Sequence, residues 1–191
     1  MSSPAEQLGN LAAAAARGDD EAFQQLAIRV GPRAHRLAWQ ILGDSQLAAD
    51  AVQEFLIKLV GALPGYDSRR PFWPWARVIA SRTSVDLLRR EKLWLKVPLE
   101  LVPEMACPAG NRPDHQLEIR EEGQRLRDAA VDLSGRQRTI FVLRDLEDWT
   151  TAEIAAHLEM AESTVRVHLA RARTHLRNAL ADMTRQGEDP C

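Results

Sequence analysis

Between Asp19 and Leu95 apolar residues return every three or four positions, and the breaks between runs predict a series of helices. Asp19, Asp20 and Glu21 load the first turn of one helix with negative charge, which suits its dipole. Phe23, Leu26, Ala27 and Val30 form its apolar face, and Gly31-Pro32 predicts a break. A second run, with Leu37, Ala38, Ile41 and Leu42, stops at Gly43-Asp44. The third, from Gln46 to Leu63, places Val52, Phe55, Leu56, Leu59, Val60 and Leu63 on one broad stripe, and Pro64-Gly65 ends it. The fourth runs from about Phe72 to Lys92.

From Lys96 to Asp114 this periodicity fails. Pro98, Pro103, Pro108 and Pro113 interrupt it, and Gly110-Asn111 adds a turn signal. The segment reads as a linker with an acidic flank (Glu100, Glu104, Asp114, Glu118, Glu121 and Glu122). Helical patterning resumes from about Gln116 to Met183. Ser134 to Gln137 and Thr150 to Glu153 each fit a capping box and mark helix starts. The tail from Thr184 to Cys191 is polar, and no stretch alternates as a strand would. The expectation is an all-α chain of two small helical domains, residues 19–95 and 116–183, joined by a flexible Pro-rich linker at 96–115.

The second block contains a short helix with the apolar seam Ile154, Ala155 and Leu158, then a turn, then a longer helix seamed by Val165, Leu169, Ala172 and Leu176. The outward face of the longer helix carries Arg166, His168, Arg171, Arg173, His175 and Arg177, with no acid from Ser163 to Arg177. A short helix followed by a basic one that opens on small hydroxyl residues fits a helix-turn-helix with its recognition helix in a DNA major groove.

Composition changes this picture little. The chain has 191 residues and a net charge of −2, so nucleic-acid binding has to come from local patches. Abundant alanine, leucine and arginine favour helix. Cys107 and Cys191 lie far apart, and neither their spacing nor that of His35, His115 and His157 suggests zinc or a disulfide framework. No metal or cofactor is expected. There is no Gly-rich phosphate loop, nucleophile elbow or placed acid/base pair, which excludes the common enzyme classes. The absence of a leader and of a long apolar run points to a soluble, cytoplasmic protein.

Four stretches resemble a bacterial RNA polymerase sigma factor of the small extracytoplasmic-function group, in the sigma-70 family. Asp50-Ala-Val-Gln-Glu54 with Phe55-Leu-Ile-Lys-Leu59 is similar to the family segment that grips the polymerase clamp. Phe72-Trp-Pro-Trp75, Ala80 to Asp86 and Arg89-Arg90 are similar to the segment that reads and melts the minus-ten promoter element. Leu133 to Arg138, with Phe141 and Leu143, resembles the opening of region four. Thr164-Val-Arg166 and Arg171-Ala-Arg173 resemble its recognition helix for the minus-thirty-five element.

The resemblance implies a function: an alternative sigma factor that binds core RNA polymerase and directs promoter-specific initiation under an anti-sigma factor, itself often membrane-anchored. It implies core-polymerase contacts at Asp50, Gln53, Glu54, Leu56, Lys58 and Leu59. It implies minus-ten contacts at Phe72, Trp73, Arg77, Arg82, Asp86, Arg89 and Arg90, and minus-thirty-five contacts at Ser163, Thr164, Arg166, His168, Arg171 and Arg173. Aromatics interleaved with arginines suit melted DNA, because stacking contributes ~1–3 kcal/mol per base and arginines hold phosphates. Trp39, Trp75 and Trp149 are expected in the core.

The chain departs from the family in places. Arg82 stands where asparagine is frequent, Ser134 where proline is common, and Glu159 where the turn usually holds glycine. Keeping the left-handed turn at Glu159 would cost roughly 1 kcal/mol. On residue pattern alone, the Asp50–Lys58 edge is an ordinary solvated helix face with an internal ion pair. The alternative reading is a stand-alone dimeric helix-turn-helix regulator, which accounts for the last block but leaves the first without a role.

Overall fold

The computed structural model describes residues 4–94 and 133–186. The expected linker at 96–115, its acidic flank, His115, Cys107 and Cys191 lie outside the described residues. The chain divides into two units, Met1–Glu91 and Lys92–Cys191. Every described regular element in both is helical.

The first unit opens with a helix that the periodicity did not single out, α1 (Pro4–Ala15), which buries Leu8 and Ala12 and packs on the next helix. Asp19 caps α2 (Asp20–Leu42), its carboxylate accepting from the Ala22 N–H at 2.9 Å. The predicted break at Gly31-Pro32 is absent, and α2 continues through it. The reason is the placement of the proline. The buried stripe runs through Leu26, Val30, Ala34, Leu37, Ala38 and Ile41, while Pro32 faces solvent. The carbonyl one turn earlier, deprived of its N–H partner, belongs to exposed Ile28 and is open to water.

Gly43 ends α2 in the left-handed region (φ 72°), and Asp44 caps α3 (Ser45–Ala62). A short 3-10 turn, Leu63–Gly65, follows, and then α4 (Phe72–Arg90). Helices α2, α3 and α4 pack on one another around Leu26, Ile41, Phe55, Leu59, Phe72 and Leu88. Val60, expected on the buried stripe, is instead 51 % exposed. The stripe of α3 is narrower than predicted and runs through Ala48, Ala51, Phe55 and Leu59. Small alanines on that line let neighbouring backbones approach, so Val60 is not needed to fill the core.

Helix α4 buries Ser81, Thr83 and Ser84. Their hydroxyls donate back to the carbonyls of Val78, Ile79 and Ala80, so these polar groups are satisfied within the helix.

In the second unit α5 (Gly135–Phe141) continues as a π turn (Val142–Leu146), then come α6 (Thr151–Leu158) and α7 (Glu162–Gln186). Both predicted capping boxes form, Ser134 with Gln137 and Thr150 with Glu153. Ile140, Leu143, Trp149, Ile154, Leu158, Val165, Leu169, Ala172 and Leu176 are buried. Trp149 is thus core as expected, whereas Trp39 and Trp75 are only half-buried. Glu159 keeps the left-handed turn, with φ 57° and ψ 49°, and its N–H donates to the Ala155 carbonyl. Glu159→Gly is therefore expected to stabilise the second unit by up to about 1 kcal/mol, less whatever freedom glycine adds to the unfolded chain. A urea midpoint that does not rise would show that the turn carries no strain.

Candidate interaction surfaces

Helix α3 sorts its predicted contact residues onto different sides. Asp50 and Gln53 are exposed and Leu56 is half-buried. Leu59 is 0 % exposed and packs into the core beneath this face. Ile57 (74 % exposed) and Val60 (51 %) are the apolar groups the helix presents outward. Asp50, Gln53, Ile57 and Val60 follow helical spacing on the side away from Phe55 and Leu59. Exposed β-branched residues beside polar groups make a small patch suited to a protein partner.

Glu54 and Lys58 turn toward α4. Glu54 accepts from the Arg90 guanidinium, Lys58 Nζ lies 4.0 Å from Glu54, and the same ammonium is 3.7 Å from Asp86. Glu54, Lys58, Asp86 and Arg90 thus form one ladder between α3 and α4, although the sequence reading assigned them to two separate surfaces. The hydrogen bond it donates to Glu54 raises the Arg90 pKa above its ordinary value, and nearby carboxylates add to it.

On α4 the Phe72 ring is enclosed in the core, 1 % exposed. Its ring sits edge-on to Tyr66 at 5.2 Å and 5.6 Å from Trp75, with Tyr66 and Trp75 4.9 Å apart. This cluster closes the loop before α4, where Asp67 receives a forked contact from Arg69. Those Arg69 hydrogen bonds hold the Asp67 carboxyl at about 2, so it stays ionised. Trp73 is half-buried, with the Arg33 guanidinium 5.8 Å from its ring centre. Arg77 is half-buried, and Arg82 and Arg89 are exposed.

On α7 Ser163, Arg166, Arg171 and Arg173 are exposed and Thr164 is half-buried. Arg166 donates to Glu162 at 3.2 Å. Arg173 makes a two-pronged contact with Asp145 of the π turn, at 3.0 and 2.5 Å. Neither carboxylate was picked out from the sequence. Asp145 lies 28 residues earlier, in the π turn before α6, and Glu162 just precedes the basic run. His168 is half-buried and its Nδ1 is enclosed. Burial, helped by Arg136 and Arg171, pushes its pKa below the ordinary value and favours the neutral imidazole.

Among the described residues no cluster of His, Cys, Asp or Glu could hold a metal ion, and no helix is long and apolar enough to cross a membrane.

Residues 26–93 match sigma-70 region 2, and residues 123–176 match sigma-70 region 4. The chain is 32% identical over 170 residues to the ECF RNA polymerase sigma factor SigM of Mycobacterium tuberculosis, covering 89% of this chain and 83% of SigM. It is 24% identical over 174 residues to the ECF sigma factor SigW of Bacillus subtilis, covering 87% of this chain and 93% of SigW. Among solved structures it is similar to CnrH in complex with the cytosolic domain of CnrY, with a TM-score of 0.57, 26% identity, and 92% of this chain and 98% of that chain covered. With matched regions 2 and 4 in order on one chain, and a relative this similar over most of its length, the chain belongs to the ECF sigma factors of the sigma-70 family.

Proposed function

We propose that this sigma factor docks on core RNA polymerase through the outward face of α3, with Asp50 and Gln53 as polar contacts around Leu56, Ile57 and Val60. The observation that carries this reading is an apolar patch left uncovered on the helix that belongs to matched region 2. Glu54 and Lys58 act mainly by holding α3 to α4. The minus-ten strand lies along Trp73, Arg77, Arg82 and Arg89, with Arg90 available once it leaves Glu54. Asp86 keeps Lys58 in place, and Phe72 fixes the loop from beneath. Stacking on Trp73 would offset the cost of unpairing a base, so opening needs no ATP.

The second unit reads the minus-thirty-five element with Ser163, Thr164, Arg166 and Arg171. Arg173, tied to Asp145, sets the helix against the phosphate backbone, and His168 offers one edge of a neutral ring. The protein works in the cytoplasm and catalyses nothing itself; polymerase does the chemistry. The similar CnrH was solved in complex with the cytosolic domain of CnrY. That supports control by an anti-sigma factor, itself membrane-anchored, which would cover the same apolar patch. A stand-alone dimeric operator binder would leave region 2 without a role.

The test is in vitro transcription with purified protein, core polymerase and a library of promoter fragments. Defined starts that appear only when the protein is added establish the reading. Footprinting of a symmetric duplex site without polymerase would replace it. Arg166→Ala is expected to lower affinity for the upstream element by ~1–3 kcal/mol, the worth of a bidentate arginine–guanine contact. Equal loss on matched and mismatched elements would demote Arg166 to a phosphate contact.

A further inference from the structure

Helix α2 carries a basic stripe that none of the surfaces above uses. After Glu21 it has no acidic residue through Leu42, yet it holds Arg29, Arg33 and Arg36. All three are exposed. At 3.6 residues per turn they fall within an arc of about 60° along roughly 10 Å of helix. Several arginines on other elements are matched to carboxylates: Arg69 to Asp67, Arg90 to Glu54, Arg166 to Glu162 and Arg173 to Asp145. By contrast, no carboxylate among the described residues lies against Arg29, Arg33 or Arg36. Arg29 donates to the neutral Gln7 side chain at 2.9 Å, and Arg33 lies over the Trp73 ring. Three like charges on adjacent turns repel one another, so the stripe is disfavoured in isolation and suits a polyanion.

Its position says which polyanion. Arg33 joins the stripe to Trp73, and Arg77 lies one turn further along α4. The stripe therefore continues, without a break in charge, the surface assigned to the melted strand. We infer that Arg29, Arg33 and Arg36 hold the phosphates of the single strand as it leaves Trp73, extending the strand path from α4 onto α2. This rests on the reading of α4 as the minus-ten surface. A ring that stacks one base has neighbouring nucleotides on both sides, and their phosphates need a cationic track. Guanidiniums already free of carboxylates supply it with no internal pair to break.

The test uses holoenzyme assembled from full-length protein and core polymerase. Two fluorescent forked promoter fragments serve as probes, one ending at the base placed on Trp73 and one carrying several further nucleotides of the same strand. The comparison is wild type against the R29Q/R33Q/R36Q triple variant, with R29K/R33K/R36K as a charge-preserving control. Loss of three phosphate contacts is expected to weaken binding of the longer fragment at low salt and to make its salt slope shallower by about 2, so that the gap to wild type narrows by roughly 16-fold over a fourfold rise in salt. Binding of the short fragment should barely change, and the lysine variant should recover most of the loss. Core-polymerase affinity is measured alongside. If the triple variant binds the long fragment like wild type, the inference is overturned while the sigma-factor reading stands. If polymerase affinity falls and the DNA slopes do not move, the stripe meets an acidic protein surface instead. If wild-type holoenzyme itself binds neither fragment above nonspecific DNA, the parent reading fails and the inference with it.

Discussion

Phe72→Ala is expected to destabilise the first unit by about 3–5 kcal/mol, the usual cost of emptying an aromatic site in a packed core. The ring is closed off from solvent and touches both Tyr66 and Trp75, so its removal leaves a cavity where the 3-10 turn, the loop and α4 meet. For a small domain a loss of this size is a large part of its whole stability. Urea denaturation of the full chain should show the unfolding of the first unit move to lower denaturant. Promoter opening should fail in proportion to the unfolded fraction. Trp73→Ala should do the reverse: open-complex formation drops while the urea midpoint shifts far less, because Trp73 is only half-buried. A Phe72→Ala protein with an unchanged midpoint and a selective defect in strand capture would return Phe72 to the DNA surface.

The paired substitution Ile57→Ser and Val60→Ser is expected to weaken core-polymerase binding by more than tenfold, since apolar anchors at the centre of an interface each contribute more than 1 kcal/mol. Both side chains are largely in water already, so stability should stay within about 0.5 kcal/mol of wild type. Leu59→Ala, between the two, is expected to cost about 2–5 kcal/mol of stability through the cavity it leaves. Any apparent loss of polymerase binding in that variant should vanish when corrected for the folded fraction. Fluorescence competition with labelled sigma factor separates the cases. Unchanged affinity for the serine pair would move the docking face off this side of α3.

Much of the architecture was legible in the chain. Caps at Asp19, Asp44, Ser134 and Thr150 set helix starts through local hydrogen bonds, and local rules suffice for those. Pro32 misled because its effect depends on which way the freed carbonyl faces, a tertiary fact. Phe72 and Leu59 lie within the resembling stretches, and packing turns both side chains inward. A motif gives the stretch of chain, and only packing gives the face. The carboxylates that bind Arg173 and Arg90 come from other elements, Asp145 from the π turn and Glu54 from α3. No periodicity on one helix could reveal them. Glu159 shows the opposite case: the sequence flagged a turn that glycine would make easily, and the chain makes it anyway.

The ladder of Arg90, Glu54, Lys58 and Asp86 has a thermodynamic consequence. A partner on α3 that draws Glu54 away releases a guanidinium on α4. A phosphate that takes Arg90 in turn leaves Glu54 open to a partner on α3. The two binding events are then linked, and each must raise the affinity of the other by the same factor.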